Sequence, residues 1–251
     1  MSQLAHTRPR SATEIIDAAF GFYRARFGDL LVVSVLLIVP PVLLAPLAPA
    51  WLSFLIMLAG NLMYLAGQGA IAILVAAAIE RNESITAGEV FRRLGRRAGT
   101  VILVSIASAL MMMIGFVFFI VPAFIALAWT AAAVPAAAIE GLSAGAAITR
   151  SRELARGRIG HILVTMLLVW LILAALGFGF LIVFTLLVAT LGTSAVTSPI
   201  IGMIVQLLLV PVFPLVGVVA TTLYYDLRVR SDGADVAAMI DALPVAPAES
   251  A

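Results

Sequence analysis

The side chains able to do chemistry are few and poorly placed for it. His6 and His161 are the two histidines, far apart in the sequence and outside any metal-ligand spacing. There is no cysteine, which excludes disulfides, thiolate catalysis and thiolate metal sites. No glycine-rich phosphate loop or nucleophile elbow occurs. The pattern therefore predicts no catalytic residue, no metal site, no cofactor and no enzyme activity.

Two constellations remain. The first is basic: Arg24 and Arg26, Arg96 and Arg97, and Arg156 and Arg158 each stand just before a long apolar run, with Gly28, Gly99 or Gly160 following. Arginine at a membrane interface attracts anionic headgroups by roughly 1 kcal/mol per residue. These six are candidate contacts to membrane lipids, anionic ones included. A protein partner or a second copy of the chain is the other occupant such a surface suits. Nucleic acid is not expected, because acidic residues interleave with the arginines. The second constellation is uncharged: Asn61, Tyr64 and Gln68 fall at i, i+3 and i+7 on one helix face, with Gln206 as a remote partner. It reads either as an intramembrane polar site for a headgroup or small solute or, more simply, as interhelical hydrogen bonding that fixes packing. Glu80 and Glu140 occupy related positions. A meeting of Glu140, Arg150 and Tyr225 around a cytoplasmic cavity would open a third reading, chemistry on a lipid headgroup.

The elements that carry these residues follow from composition. Hydrophobic residues make up 63% of the chain and charged residues 11%, with a mean hydropathy of +1.17, which places it in the membrane class. Charges are absent from Leu30 to Ile79, Ala98 to Ile139 and Ile159 to Tyr225. About 20 apolar residues cross a bilayer as helix, so each block holds two crossings. The blocks lack the period-2 alternation of barrel strands, and only closed backbone hydrogen bonding survives in lipid. The expected fold is an all-α membrane protein with six transmembrane helices in three hairpins.

A helix precedes each hairpin. Ser11-Ala12-Thr13-Glu14 has the form of a capping box; Ile15, Ile16, Ala19, Phe20, Tyr23 and Phe27 then recur at helical spacing, an amphipathic pattern suited to the membrane surface. Thr86 with Glu89 opens a second such helix, and Ser143, without an acidic partner, a third. Ala-Ala-Ala-Ile-Glu occurs at residues 76–80 and again at 136–140. The spacing from cap to second arginine matches in the first and third units and is about one helical turn shorter in the second. The chain thus reads as a loose tail over 1–10 and a single membrane domain over 11–230. That domain holds three units at about 11–79, 84–139 and 142–225, each an amphipathic helix leading into a hairpin. A short amphipathic helix carrying Val236, Met239, Ile240 and Leu243 and a disordered tail occupy 231–251. The second hairpin is expected to turn at Ile120-Val121-Pro122, four prolines to kink or end the first crossing, and Pro211 and Pro214 to kink or unwind the sixth. Ala48-Pro49-Ala50 after an apolar run suggests a signal-peptide cleavage site, but the capped helix ahead of that run argues for a retained first crossing.

All fifteen arginines fall in the terminal segments and the two even-numbered loops. By the positive-inside rule both termini and all the amphipathic helices are cytoplasmic. With no ionisable side chain expected in the hydrocarbon, ion-coupled transport ranks below passive roles. The leading expectation is a lipid-contacting or partner-binding membrane module; the alternative is a passive transporter or channel for a small solute or lipid.

A run of motifs between Pro122 and Arg158 bears on family: Pro122-Ala123-Phe124-Ile125, Trp129, Pro135, Ile139-Glu140-Gly141, Ala147-Ile148-Thr149-Arg150-Ser151 and Leu154-Ala155-Arg156-Gly157-Arg158. It resembles bacterial membrane proteins of the glycerophosphoryl diester phosphodiesterase membrane domain-like family. Thr222-Leu223-Tyr224-Tyr225-Asp226-Leu227-Arg228-Val229-Arg230 with Gly233 is similar to that family's C-terminal signature, and Ser11 to Leu31 to its opening. Ala123 stands where relatives often carry Gly. The resemblance implies a stand-alone six-helix domain of the bacterial inner membrane. The histidines and clustered metal-binding acids of the phosphodiesterase are missing, so it implies topology and no activity.

Overall fold

The structure, a computed structural model, describes residues 9–80, 85–192, 194 and 197–241, with the side chains of 198 and 232–241 left aside. Among these residues the regular elements are all helical: α1 Ala12–Ala25, α2 Phe27–Leu44, α3 Ala50–Glu80, α4 Ala87–Gly95, α5 Ala98–Phe118, α6 Ile120–Thr130, α7 Ala133–Glu140, α8 Ala144–Ala155, α9 Ile159–Leu191, α10 Thr197–Leu209 and α11 Phe213–Asp241. Six helical stretches are long and apolar enough to cross a membrane: Phe27–Leu47, Ala50–Glu80, Ala98–Phe118, Ile120–Glu140, Ile159–Leu191 and Pro199–Ser231.

Local chemistry sets the helix boundaries. The Ser11 hydroxyl accepts the Glu14 amide while the Glu14 carboxylate accepts the Ser11 amide, so α1 begins on a complete capping box. Thr86 caps α4 in the same way, but Glu89 turns forward to Arg92 and Arg93 rather than back to the cap. Ser143 stands at the start of α8 without a side-chain cap bond. Helix α2 continues through Pro40 and Pro41 to Leu44 and ends in a 3-10 turn at Ala45–Leu47.

Three expectations are corrected. The turn between α5 and α6 falls at Phe119, not at residues 120–122, because Pro122 is accommodated in the first turn of α6, where no amide is missed. The fourth crossing is broken between Thr130 and Ala133. Pro135 has no amide to offer the Ala131 carbonyl, and the Ala132 amide is taken instead by the Ser151 hydroxyl of α8 at 3.1 Å. The last short helix is not separate: α11 runs on without interruption to Asp241. The expectation of an unwound turn at Pro211 and Pro214 agrees with the gap between α10 and α11, where the freed Pro211 carbonyl accepts the Tyr23 hydroxyl at 2.7 Å. The tail residues 1–8 with His6, the loop at 81–84 and the tail beyond Asp241 lie outside the described residues.

The apolar faces of the short helices pack on protein rather than lie open toward lipid, a further correction. Ile15 and Ala19 of α1, Val90 of α4, and Ala147 and Leu154 of α8 are fully buried. A recurring relation places them: α1 packs on α11 and α9, α4 on α3 and α2, and α8 on α6, α7 and α5. Arg152 also lies over the Trp129 ring, 4.3 Å from its centre, tying α8 to α6. Burial is consequently polarised. The buried residues of α3 all lie between Ala66 and Ala77, and those of α7 run from Ala133 to Ala138. At the opposite end Trp51, Phe54, Phe118, Phe119 and Val121 are each more than 60% exposed. One end of the bundle is a packed core; the other is a set of apolar helices with open flanks.

Candidate functional site

The packed end holds the charges, and the arginine pairs divide the work there. The leading members Arg24, Arg96 and Arg156 are exposed, while Arg26, Arg97 and Arg158 are half-buried and bonded within the protein. Arg97 donates to the Ala138 and Ile139 carbonyls, at 2.5 and 2.9 Å, closing the end of α7. It lies against Gly141, whose φ of 73° is a left-handed helix end that glycine adopts without strain. Arg158 donates to the Leu154 carbonyl and across to the Arg230 carbonyl of α11 at 2.8 Å. Arg26 pairs with Asp29 at 3.4 Å.

Three carboxylates complete the layer, Glu80 and Glu140 at the ends of their helices and Asp226 within α11. Glu140 accepts the Tyr224 hydroxyl at 2.5 Å and lies 3.5 Å from Arg150. Glu80 accepts the Tyr225 hydroxyl at 2.8 Å. Asp226, with a fully buried side chain, accepts the Arg10 amide at 2.6 Å and Arg230 Nε at 2.7 Å, and stands 3.1 Å from His161 Nε2. Arg230 returns a bond to the Arg10 carbonyl. Residue 10 is therefore bound to the bundle, not part of a loose tail. Glu140 and Arg150 do meet, but with Tyr224; Tyr225 turns to Glu80, so the trio that would have opened the third reading does not assemble. Asp226 was not singled out from the sequence, although its i, i+4 spacing to Arg230 was a visible signal.

Beside this layer a cavity of about 370 Å³ opens between α3, α4, α7 and the start of α5. Its floor is Ile73, Ala76, Ala77 and Ile139, and its rim Glu80, Glu89, Arg93, Arg96 and Arg97. Glu89 is held below the ordinary carboxyl range by its hydrogen bond from Arg93, helped by the charges of Arg92, Arg93 and Arg96 and opposed by partial burial.

The uncharged constellation is split. Asn61, Tyr64 and Gln206 line a pocket of about 140 Å³ with Ile38, Pro41, Val42, Met57 and Gly60. Asn61 donates to its own helix at the Met57 carbonyl, 2.9 Å away, and Tyr64 meets Phe213 edge-on. Gln68 lies apart, against Gly217 of α11, with its buried Nε2 unbonded among the described residues. Gly60 and Gly67 admit close neighbours, Pro41 to the first, Leu37 and Phe213 to the second. Among the described residues no group of three His, Asp or Glu side chains gathers to hold a metal. No family model, curated protein or solved structure matches this chain, so what the site does follows from its own geometry.

Proposed function

We propose that this chain is a six-crossing protein of the bacterial inner membrane, with both termini cytoplasmic, that serves as a lipid-contacting or partner-binding module and carries out no catalysis. Its topology is three hairpins, each led by an amphipathic helix. The recurrence of one packing relation for α1, α4 and α8 supports that reading. So does the gathering of the arginine pairs and helix-end carboxylates into one layer. The likeness to the phosphodiesterase membrane-domain family belongs to the same proposal and extends to topology alone.

The observation that carries the contacting role is the division within the arginine pairs. One guanidinium of each pair bonds within the protein, Arg97 and Arg158 to distant helices and Arg26 locally to Asp29, and the other projects from the protein just before a crossing helix begins. At that level a bilayer presents its phosphates, and each projecting arginine adds roughly 1 kcal/mol of attraction to an anionic surface at low salt. Native mass spectrometry of the full chain with mixed lipids should show anionic species retained over zwitterionic ones, and the triple variant R24Q/R96Q/R156Q should lose that preference while staying folded. Equal retention of both lipid classes by the unmodified chain would refute the lipid-contacting role.

Passive transport has less behind it. The polar pocket of Asn61, Tyr64 and Gln206 is of the order of a few water molecules in size, and Gln68 does not extend it.

A further inference from the structure

The cavity at the packed end occurs at the unit whose leading helix is short. Helix α4 has 9 residues where α1 has 14 and α8 has 12. Each of the three packs on the crossing helices of a hairpin, and beside the shorter α4 the cavity lies between α3 and α7. The wall over that opening is arginine. Arg92 and Arg93 are taken up by Glu89, Arg97 by the carbonyls that end α7, and Glu80 by Tyr225. Arg96 differs. It reaches the rim with no hydrogen-bond or ion-pair partner among the described residues, and Glu89 feels its charge only through space.

We propose that this cavity is a binding site for a phosphate group, with Arg96 as its primary ligand and Arg93 and Arg97 supplying the surrounding positive field. A guanidinium matches a phosphate through two parallel N–H bonds, and its weak hydration lowers the cost of leaving water. The rim is net positive, with Arg93, Arg96 and Arg97 against Glu80 and Glu89; Glu89 is offset by its own arginines, and Glu80, bonded to the neutral Tyr225 hydroxyl, opposes the anion only in part. The apolar floor of Ile73, Ala76, Ala77 and Ile139 receives the carbon next to the phosphate. Helix α5 begins at Ala98, directly after Arg97, so the cavity lies level with the start of a crossing helix. The phosphate comes either from a lipid headgroup entering sideways or from a soluble ion entering from the aqueous face. This rests on the lipid-contacting reading above and assigns its strongest contact to one of the three projecting arginines.

The test compares two variants that remove the same charge, R96Q inside the cavity and R156Q outside it, in the full chain. In the lipid arm, native mass spectrometry reads retained phosphatidylglycerol against phosphatidylcholine. In the soluble arm, the melting temperature is read against inorganic phosphate, with sulfate-free chloride at matched ionic strength as reference. R96Q should lower phosphatidylglycerol retention about twenty-five- to fiftyfold, the loss of one charge-assisted contact on top of the general attraction, while R156Q lowers it about fivefold, the general attraction alone. R96K should restore part of the loss. A phosphate-dependent melt that R96Q abolishes, without any lipid effect, identifies a soluble ion as the source. Equal losses in R96Q and R156Q overturn the cavity while leaving general lipid contact standing; no anionic preference and no phosphate effect in the unmodified chain overturns both. Both side chains are exposed, and unchanged melts without ligand confirm that neither variant unfolds.

Discussion

At the scale of single residues, the packed end is governed by which partner each ion holds. Glu89 serves two arginines of its own helix, and its carboxyl is lowered chiefly by the Arg93 hydrogen bond. A carboxyl with a lowered folded value stabilises the fold fully above its ordinary value of 4.5 and loses that contribution as pH falls through the lowered one. E89Q should therefore melt below the unmodified chain at neutral pH. The gap should start to close below pH 4.5 and vanish under more acid conditions. Parallel melting curves from pH 7 to pH 3 measure it, and a gap that widens on acidification contradicts the assignment. Tyr224 and Tyr225 teach a different point. Neighbouring residues on a helix point about 100° apart, so the sequence could place a tyrosine near the helix-end carboxylates but could not say which one meets Glu140.

At the scale of elements, close approach sets the packing. A Cβ on Gly115 would lie 2.7 Å from the Ala123 backbone, so α5 and α6 touch main chain to main chain. G115A should spread that pair and cost about 1–3 kcal/mol, as overpacking does. G177A, in the middle of α9 where nothing lies within 4 Å, should be neutral or slightly stabilising. Thermal melts of the two variants decide, and a G115A melt equal to that of G177A argues against the contact. The helix caps at Ser11 and Thr86 were legible in the sequence because capping is local chemistry between residues three apart. The break at Ala131 was written there too, as Pro135 four residues on, but an otherwise even apolar run concealed it. What the amphipathic helices pack against was not legible: periodicity shows that a face is covered, and only the assembled bundle shows that protein, rather than lipid, covers it. The glycines after the arginine pairs, Gly28, Gly99 and Gly160, have no close neighbour, and nothing in the structure explains their recurrence.

At the scale of the whole molecule, the polarised burial gives the two ends different tasks. Helix α9 is 33 residues long, about 50 Å as a straight helix; its buried residues, Ile162, Thr165 and Val169, lie in its first third, and the apolar stretch beyond them is open. The helix exceeds a hydrocarbon layer of about 30 Å and must tilt or extend beyond it. The sidedness is directly testable because the chain has no cysteine of its own. A membrane-impermeant maleimide should label S194C, between α9 and α10, in intact cells, and E153C, on α8, only after the membrane is opened; the reverse pattern would invert the topology.

The seating of α1 bears on how the molecule comes to be made. Arg10, just ahead of α1, is bound at Asp226 and Tyr23 near its end at Pro211, so α1 is made before the helix that seats it. Until that seat is synthesised, Ile15, Ile16 and Ala19 have at most the α9 part of the surface they rest on and must shelter in lipid or on an insertion factor. Such a long-range closure is slow and comes last. A chain cut short before residue 211 would leave α1 with α9 but without the α11 side of its seat, an exposed apolar mark by which a cell's quality control could tell an unfinished copy from a finished one.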